Sequence, residues 1–269
     1  MSMSNLYDKT TYSNGIDYFS GYIIEYDLSK ANINALLSRG IIDQNTYNYL
    51  YNSDKKYREV YVGKMIKEDD RIYKEIQIGI KDAKRSFIEA NNIQDEEILS
   101  IKNDALFILT ERNMQQQFGN YYFAKKNIFT LFFRFYKNKE FYYRFDQNTQ
   151  KDIIEVKGLS DETLTTHSQY FLKFLADISY DIQRSTIEET LNRYNQFYSD
   201  YLNRVLDIRF YREFNNFNAY RILGGKKDYL IETDIDQSYV KSVDINYNLK
   251  ILRDLGVIID KMYFNQIRR

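Results

Sequence analysis

The run Glu96-Glu-Ile-Leu-Ser-Ile-Lys-Asn-Asp-Ala-Leu-Phe-Ile-Leu-Thr110 constrains this chain more than any other, because it sets an acid, Asp104, inside an apolar β-type stretch. As one buried strand it would carry Lys102 and Asp104 into a core, where an unpaired charge costs several kcal/mol. As a hairpin turning at Lys102-Asn103 it buries 98–101 and 105–109 in two short strands and lifts Asp104 to the rim. We read it as a hairpin.

One other segment has this character. Residues 21–32, Gly-Tyr-Ile-Ile-Glu-Tyr-Asp-Leu-Ser-Lys-Ala-Asn, form a β-rich run ending in Asp27, and Leu28, Ala31, Ala35 and Leu36 then follow at helical spacing. If the two elements are neighbours in one sheet, Asp27 and Asp104 sit side by side. Two carboxylates so placed either hold a divalent cation or repel.

With 269 residues, 43% of them hydrophobic, the chain can bury a core as one large domain or two modest ones. Its 38 basic and 38 acidic residues balance, so any nucleic-acid site has to be a local patch. The absence of cysteine excludes disulfides, thiolate metal sites and cysteine nucleophiles, and a single histidine, His167, argues against imidazole metal sites and Ser-His-Asp catalysis. Carboxylate, hydroxyl and lysine chemistry remain. No apolar run has the length of a membrane span, about 18 residues, and the polar residues 1–14 lack a signal peptide's core, so the expectation is a cytoplasmic protein without a membrane partner. Twenty-seven tyrosines, 18 phenylalanines, no proline and no tryptophan, with abundant Asn, Lys and Ile, reflect A/T-rich codons of the kind many phages and other mobile elements use. That background lowers the weight of any one tyrosine as a stacking platform.

In chain order, residues 1–20 read as a polar leader or edge strand. A helix after Asp27 stops at Arg39-Gly40 by a glycine cap, a short helix follows around 44–51, and one long helix is expected over 58–90, with Val62, Met65, Ile66, Ile72, Ile76, Ile80, Ala83 and Phe87 forming its apolar stripe. Beyond the hairpin, 121–136, 140–145 and 152–157 form a meander. Helices are expected over 161–180, 186–205 and 211–222, then strands near 229–233 and 238–245 and a helix over 249–255. The fold class is α+β, with an antiparallel sheet and packed helices over 1–159 and a mainly helical region with a small β element over 160–269.

This order of parts resembles the palm and early thumb of family B DNA polymerases over residues 18–180. Asp27-Leu28-Ser29-Lys30-Ala31-Asn32 is similar to that family's first palm motif, in which the Asp binds the catalytic metals and the next residue's carbonyl assists. Lys102-Asn103-Asp104-Ala105-Leu106-Phe107-Ile108 is similar to its Asp-Thr-Asp-Ser hairpin, with Asp104 on the metal-binding second Asp. Ala124-Lys125-Lys126-Asn127 resembles the Lys-Lys-Arg-Tyr motif that grips the primer backbone, and Val156-Lys157-Gly158-Leu159 resembles the Lys-Gly-Leu that follows it. The departures are Lys102 at the first hairpin Asp, Asn32 at the sugar-gating Tyr, and only 77 positions between Asp27 and Asp104, too few for full fingers. Lys81, followed by Arg85-Ser86-Phe87, is the nearest approach to the fingers lysine.

The resemblance implies a Mg²⁺- or Mn²⁺-dependent nucleotidyltransferase, with Asp27 and Asp104 catalytic, the ion held by Asp27, the Leu28 carbonyl and Asp104, the nucleotide met by Asn32 and Lys81, and nucleic acid gripped by Lys125, Lys126 and Lys157. Lys102 lowers the local negative charge, so one ion or none is expected. The alternative is a non-catalytic phage structural or accessory protein using such a fold to bind nucleic acid or other phage proteins. Each residue also has a plain reading: Asp27 and Asp104 as strand-end acids paired with Lys30 and Lys102, Lys125 and Lys126 as a solvated edge, Lys226-Lys227 as a turn, and His167 without a role.

Overall fold

The computed structural model describes residues 6–158, 169–211, 220–223, 226–229 and 245–267. Among them the fold is α+β, built on an eight-stranded antiparallel sheet. Its strands are β1 (Thr11–Ser13), β2 (Tyr18–Leu28), β3 (Ile98–Lys102), β4 (Ala105–Ile108), β5 (Gln117–Phe118), β6 (Tyr121–Phe135), β7 (Lys139–Asp146) and β8 (Lys151–Lys157). The order is β1-β3-β4-β2-β6-β7-β8, with β5 pairing to β6. Four helices, α1 (Ala31–Ser38), α2 (Gln44–Asn52), α3 (Lys55–Glu68) and α4 (Arg71–Ala90), lie between β2 and β3. Three more, α5 (Gln169–Arg184), α6 (Ile187–Leu202) and α7 (Asn246–Ile267), follow the meander, and β9 (Tyr220–Leu223) pairs with β10 (Lys226–Tyr229) in a separate ribbon. The chain forms two compact units, one of residues 1–16 with 21–129 and the other of 17–20 with 130–269. The boundary expected at Leu159-Ser160 lies outside the described residues, as does His167.

The hairpin forms, with its turn one residue later than expected. Lys102 still pairs with Ala105, and the two connecting residues are Asn103 and Asp104. Asn103 takes φ 52°, a left-handed conformation that Asn tolerates better than most residues. Its N–H also donates to the Thr10 carbonyl at 2.7 Å, which ties the turn to the edge strand β1.

The single long helix expected over 58–90 is two helices. Asp69 leaves the helical region at φ −144°, ψ 109°, and its carboxylate accepts the Arg71 N–H at 3.0 Å while pairing with the Arg71 guanidinium. A local side-chain acceptor offers the backbone an alternative to the helix, and the chain takes it here. The helix expected over 211–222 is likewise corrected. Tyr211 ends a short 3₁₀ turn (Ile208–Tyr211), and residues 220–223 are paired as β9, since a short apolar run does not distinguish helix from strand by periodicity. Lys226 and Lys227 stand on β10 rather than in a turn.

In the first unit, α1 and α4 cover one face of the sheet. Ile24, Tyr26 and Leu28 of β2, Ile98 and Ile101 of β3, and Leu106 and Ile108 of β4 share a core with Ala35, Leu36, Ile80, Ala83 and Phe87. Tyr26 and Phe87 meet with ring centres 5.0 Å apart. In the second unit, Leu131, Phe133, Phe141 and Tyr143 pack with Phe171, Leu175 and Ile178 of α5 and with Leu252, Leu255 and Ile259 of α7.

Candidate functional site

The candidate site lies where β2 ends beside the β3–β4 turn. The β2–β4 ladder pairs Asp27 with Ala105, and the Leu28 N–H donates to the Asp104 carbonyl at 3.1 Å. Asp27 therefore stands near the end of β2, beside the turn that carries Asp104. Asp27 shares its side with Ala105 and Lys102, whereas the helix-covered side is that of Tyr26, Leu28 and Leu106.

Each acid meets a different lysine. Lys126 Nζ on β6 stands 3.3 Å from Asp27 Oδ2. Asp104 instead acts on Lys84 of α4, whose ammonium is buried and donates to the Lys9 carbonyl at 2.7 Å. The Lys84 pKa is lowered to about 8, chiefly by burial and also by the nearby Lys81 charge, with Asp104 and Asp8 opposing both. Asp27 thus lies beside the turn that carries Asp104, across the ladder from the next residue, Ala105. The Lys126 ammonium is the cation beside Asp27 in this structure. Among the described residues no cluster of three or more acids or histidines is placed to hold a metal.

The other expected residues scatter. Leu28 is buried, with its N–H committed to Asp104. Asn32 is exposed on the first turn of α1, and its neighbour Asn34 is the buried amide, donating to the Ser29 carbonyl at 2.7 Å and accepting from the Tyr47 hydroxyl. Lys30 adopts φ 52° at the start of α1 and sets its Nζ 3.0 Å from the centre of the Tyr51 ring, so its partner is Tyr51 rather than Asp27. Lys81 is half-buried on α4. Lys125 and Lys126 are exposed on β6, and strand alternation puts Tyr122, also exposed, on the side of Lys126. Lys157 belongs to the second unit, where its Nζ is 2.6 Å from Glu155 Oε1.

Three residues were not singled out from the sequence: Lys84, buried Glu25 and Asn127, whose amide donates to Glu25 Oε2 at 2.7 Å. For Lys84 a signal existed, since it falls four residues after Ile80 on the apolar stripe of α4. For the Glu25–Asn127 pair nothing short of the β2–β6 neighbourhood would have served.

Among the described residues no helix is long and apolar enough to cross a membrane. A search of curated proteins finds no match to the chain. Over residues 1–261 the sequence matches the family of the bacteriophage PBS1 gene 130 protein, and the chain belongs to that phage protein family.

Proposed function

We propose that the first unit is a palm-like module that binds nucleic acid without two-metal catalysis, its motif acids having become structural charges. The observation that carries this reading is the Asp27–Lys126 ion pair, which joins the residue matching the catalytic acid to the residue matching the primer-gripping lysine. The neighbour order β3-β4-β2-β6 supports the palm comparison, because it sets the Asp27 strand beside the Asp104 hairpin with helices on one face. Exposed Lys126, with Tyr122 on the same side of β6, offers a phosphate contact beside an aromatic face, and exposed Lys125 adds a second cation on that strand.

The test is binding of a fluorescein-labelled primer–template, read by anisotropy, with and without Mn²⁺. Asp27→Asn is expected to tighten binding, since it removes a negative charge and releases Lys126 for phosphate. Lys125→Gln should weaken binding and reduce the salt slope by about 1. Mn²⁺ should change neither result. Mn²⁺-dependent primer extension that disappears in Asp27→Asn would replace this reading with an enzyme of the nucleotidyltransferase type, and absence of binding by the wild type would remove nucleic acid as the partner.

A further inference from the structure

The second unit contains a cavity of about 320 Å³ whose lining includes the end of β6 and one side of α7. That volume lies at the lower end of the range for small-molecule sites, roughly 300–1,000 Å³. Arg134 lines it, with a side chain only 10% exposed. Two of its guanidinium nitrogens, Nε and Nη2, have no hydrogen-bond partner among the described residues. Asp17 offers little compensation: its Oδ1 is 4.0 Å from Arg134 Nη1, at the outer limit of an ion pair, and the side chain is 59% exposed. A charge-bearing fork left in this state carries an uncompensated desolvation cost.

The surroundings say what would satisfy it. Lys261 of α7 lines the same cavity and is exposed, and Lys250 Nζ stands 4.7 Å from the centre of the Tyr136 ring, another lining residue. Asp254 also lines the cavity, but its Oδ2 already accepts the Tyr136 N–H at 2.7 Å. Three cations therefore stand at or beside the cavity against two carboxylates, of which one is committed and the other distant. Val257 and Ile258 supply an apolar wall. A guanidinium presents parallel N–H donors in a geometry that matches two oxygens of a single oxyanion.

We propose that this cavity is a binding site for a small phosphorylated ligand, with the phosphate bound by Arg134 and Lys261 and a hydroxyl of the remainder donating to Asp254. The proposal is independent of nucleic-acid binding by the first unit. Asp17 competes with the phosphate for Arg134, so its removal strengthens the site.

Calorimetric titration of the full chain at low ionic strength with inorganic phosphate, thymidine monophosphate and thymidine tests it. Thymidine should give no heat, and the phosphate arm against the monophosphate arm separates a free anion from an ester. Asp17→Asn should tighten binding, Lys261→Gln should weaken it about two- to fivefold, and Arg134→Met should weaken it at least about tenfold. Should Arg134→Met fail to fold, the opposite signs expected for Asp17→Asn and Lys261→Gln carry the test alone. Absence of binding of both phosphate and monophosphate at millimolar concentration, equal affinity in a folded Arg134→Met protein, or weaker binding in Asp17→Asn would each overturn the assignment.

Discussion

Asp27 stands directly across the β2–β4 ladder from Ala105, one residue beyond Asp104. Asp104 belongs to the β3–β4 turn, and the two acids have different lysine neighbours, Lys126 for Asp27 and Lys84 for Asp104. The Asp27–Lys126 pair is partly solvated, with side-chain exposures of 28% and 54%. Its contribution to stability should therefore be small, and a double-mutant cycle of Asp27→Asn with Lys126→Met in urea unfolding should return a coupling of about 0.2–1 kcal/mol. A coupling several times larger would mean that the pair is a structural keystone, and the affinity gain expected of Asp27→Asn would then be masked by loss of fold.

Lys84 predicts a specific pH dependence. Its pKa falls from 10.5 in the unfolded chain to about 8 in the folded one, with burial as the main cause. Between those values the unfolded chain binds more protons than the folded chain, so unfolding free energy gains as pH rises from about 8 towards 10.5. Below pH 8 the folded protein bears the desolvation cost in full. The difference in unfolding free energy between wild type and Lys84→Met, measured at pH 7, 8.5 and 10, should move in favour of the wild type as pH rises. Asp104→Asn removes a charge that holds the Lys84 pKa up, and should shift the lower edge of that window downwards. A difference independent of pH would mean that Lys84 does not change its charge on folding within this range.

How much of this was legible in the sequence depends on the range of the interaction. The glycine stop of α1 was readable because Gly40 needs φ 67°, and the hairpin because Asp104 could not stay in a buried strand. The meander of β6, β7 and β8 followed from apolar runs parted by polar turns. The break at Asp69 was hidden because the apolar stripe continues in phase through it, from Met65 and Ile66 to Ile72, and only the Asp69–Arg71 hydrogen bonds reveal it. The β2–β4 register joins residues about eighty positions apart, and long-range packing fixes it rather than any local motif. Arg134 was invisible for another reason: it sits within the aromatic run 132–136, and its burial depends on tertiary packing.

Two glycines on successive helices should respond in opposite directions. A Cβ on Gly79 of α4 would stand 2.7 Å from the Ala35 Cβ and 2.9 Å from its Cα, so α1 and α4 approach as closely as they do only because that side chain is missing. Nothing lies within 4 Å of a Cβ built on Gly63 of α3. Gly63→Ala should therefore stabilise the protein by about 0.5–1 kcal/mol through helix propensity. Gly79→Ala should destabilise it by about 1–3 kcal/mol despite the same propensity gain, because backbone must move. Thermal melts of the two variants against wild type measure both. Equal shifts would show that α1 can slide away from α4 at little cost.

The start of α6 gives the last prediction. Thr186 accepts the Glu189 N–H at 3.2 Å through Oγ1, and the Glu189 carboxylate returns the bond by accepting the Thr186 N–H at 3.0 Å. This reciprocal cap satisfies two backbone donors that a helix start otherwise leaves to water. The Thr186 backbone N–H is the main reason the Glu189 pKa lies below its ordinary value. A carboxylate with a lowered folded pKa contributes stability above its unfolded value near 4.5, and that contribution fades as pH drops through the folded pKa. Thr186→Ala should cost about 0.5–2 kcal/mol at neutral pH. Glu189→Gln keeps an acceptor but not the charge, so it should cost less and should flatten the acid limb of the stability profile. If both variants lose stability equally at pH 3 and pH 7, the cap acts through packing of the helix start and the ionised Glu189 contributes nothing of its own.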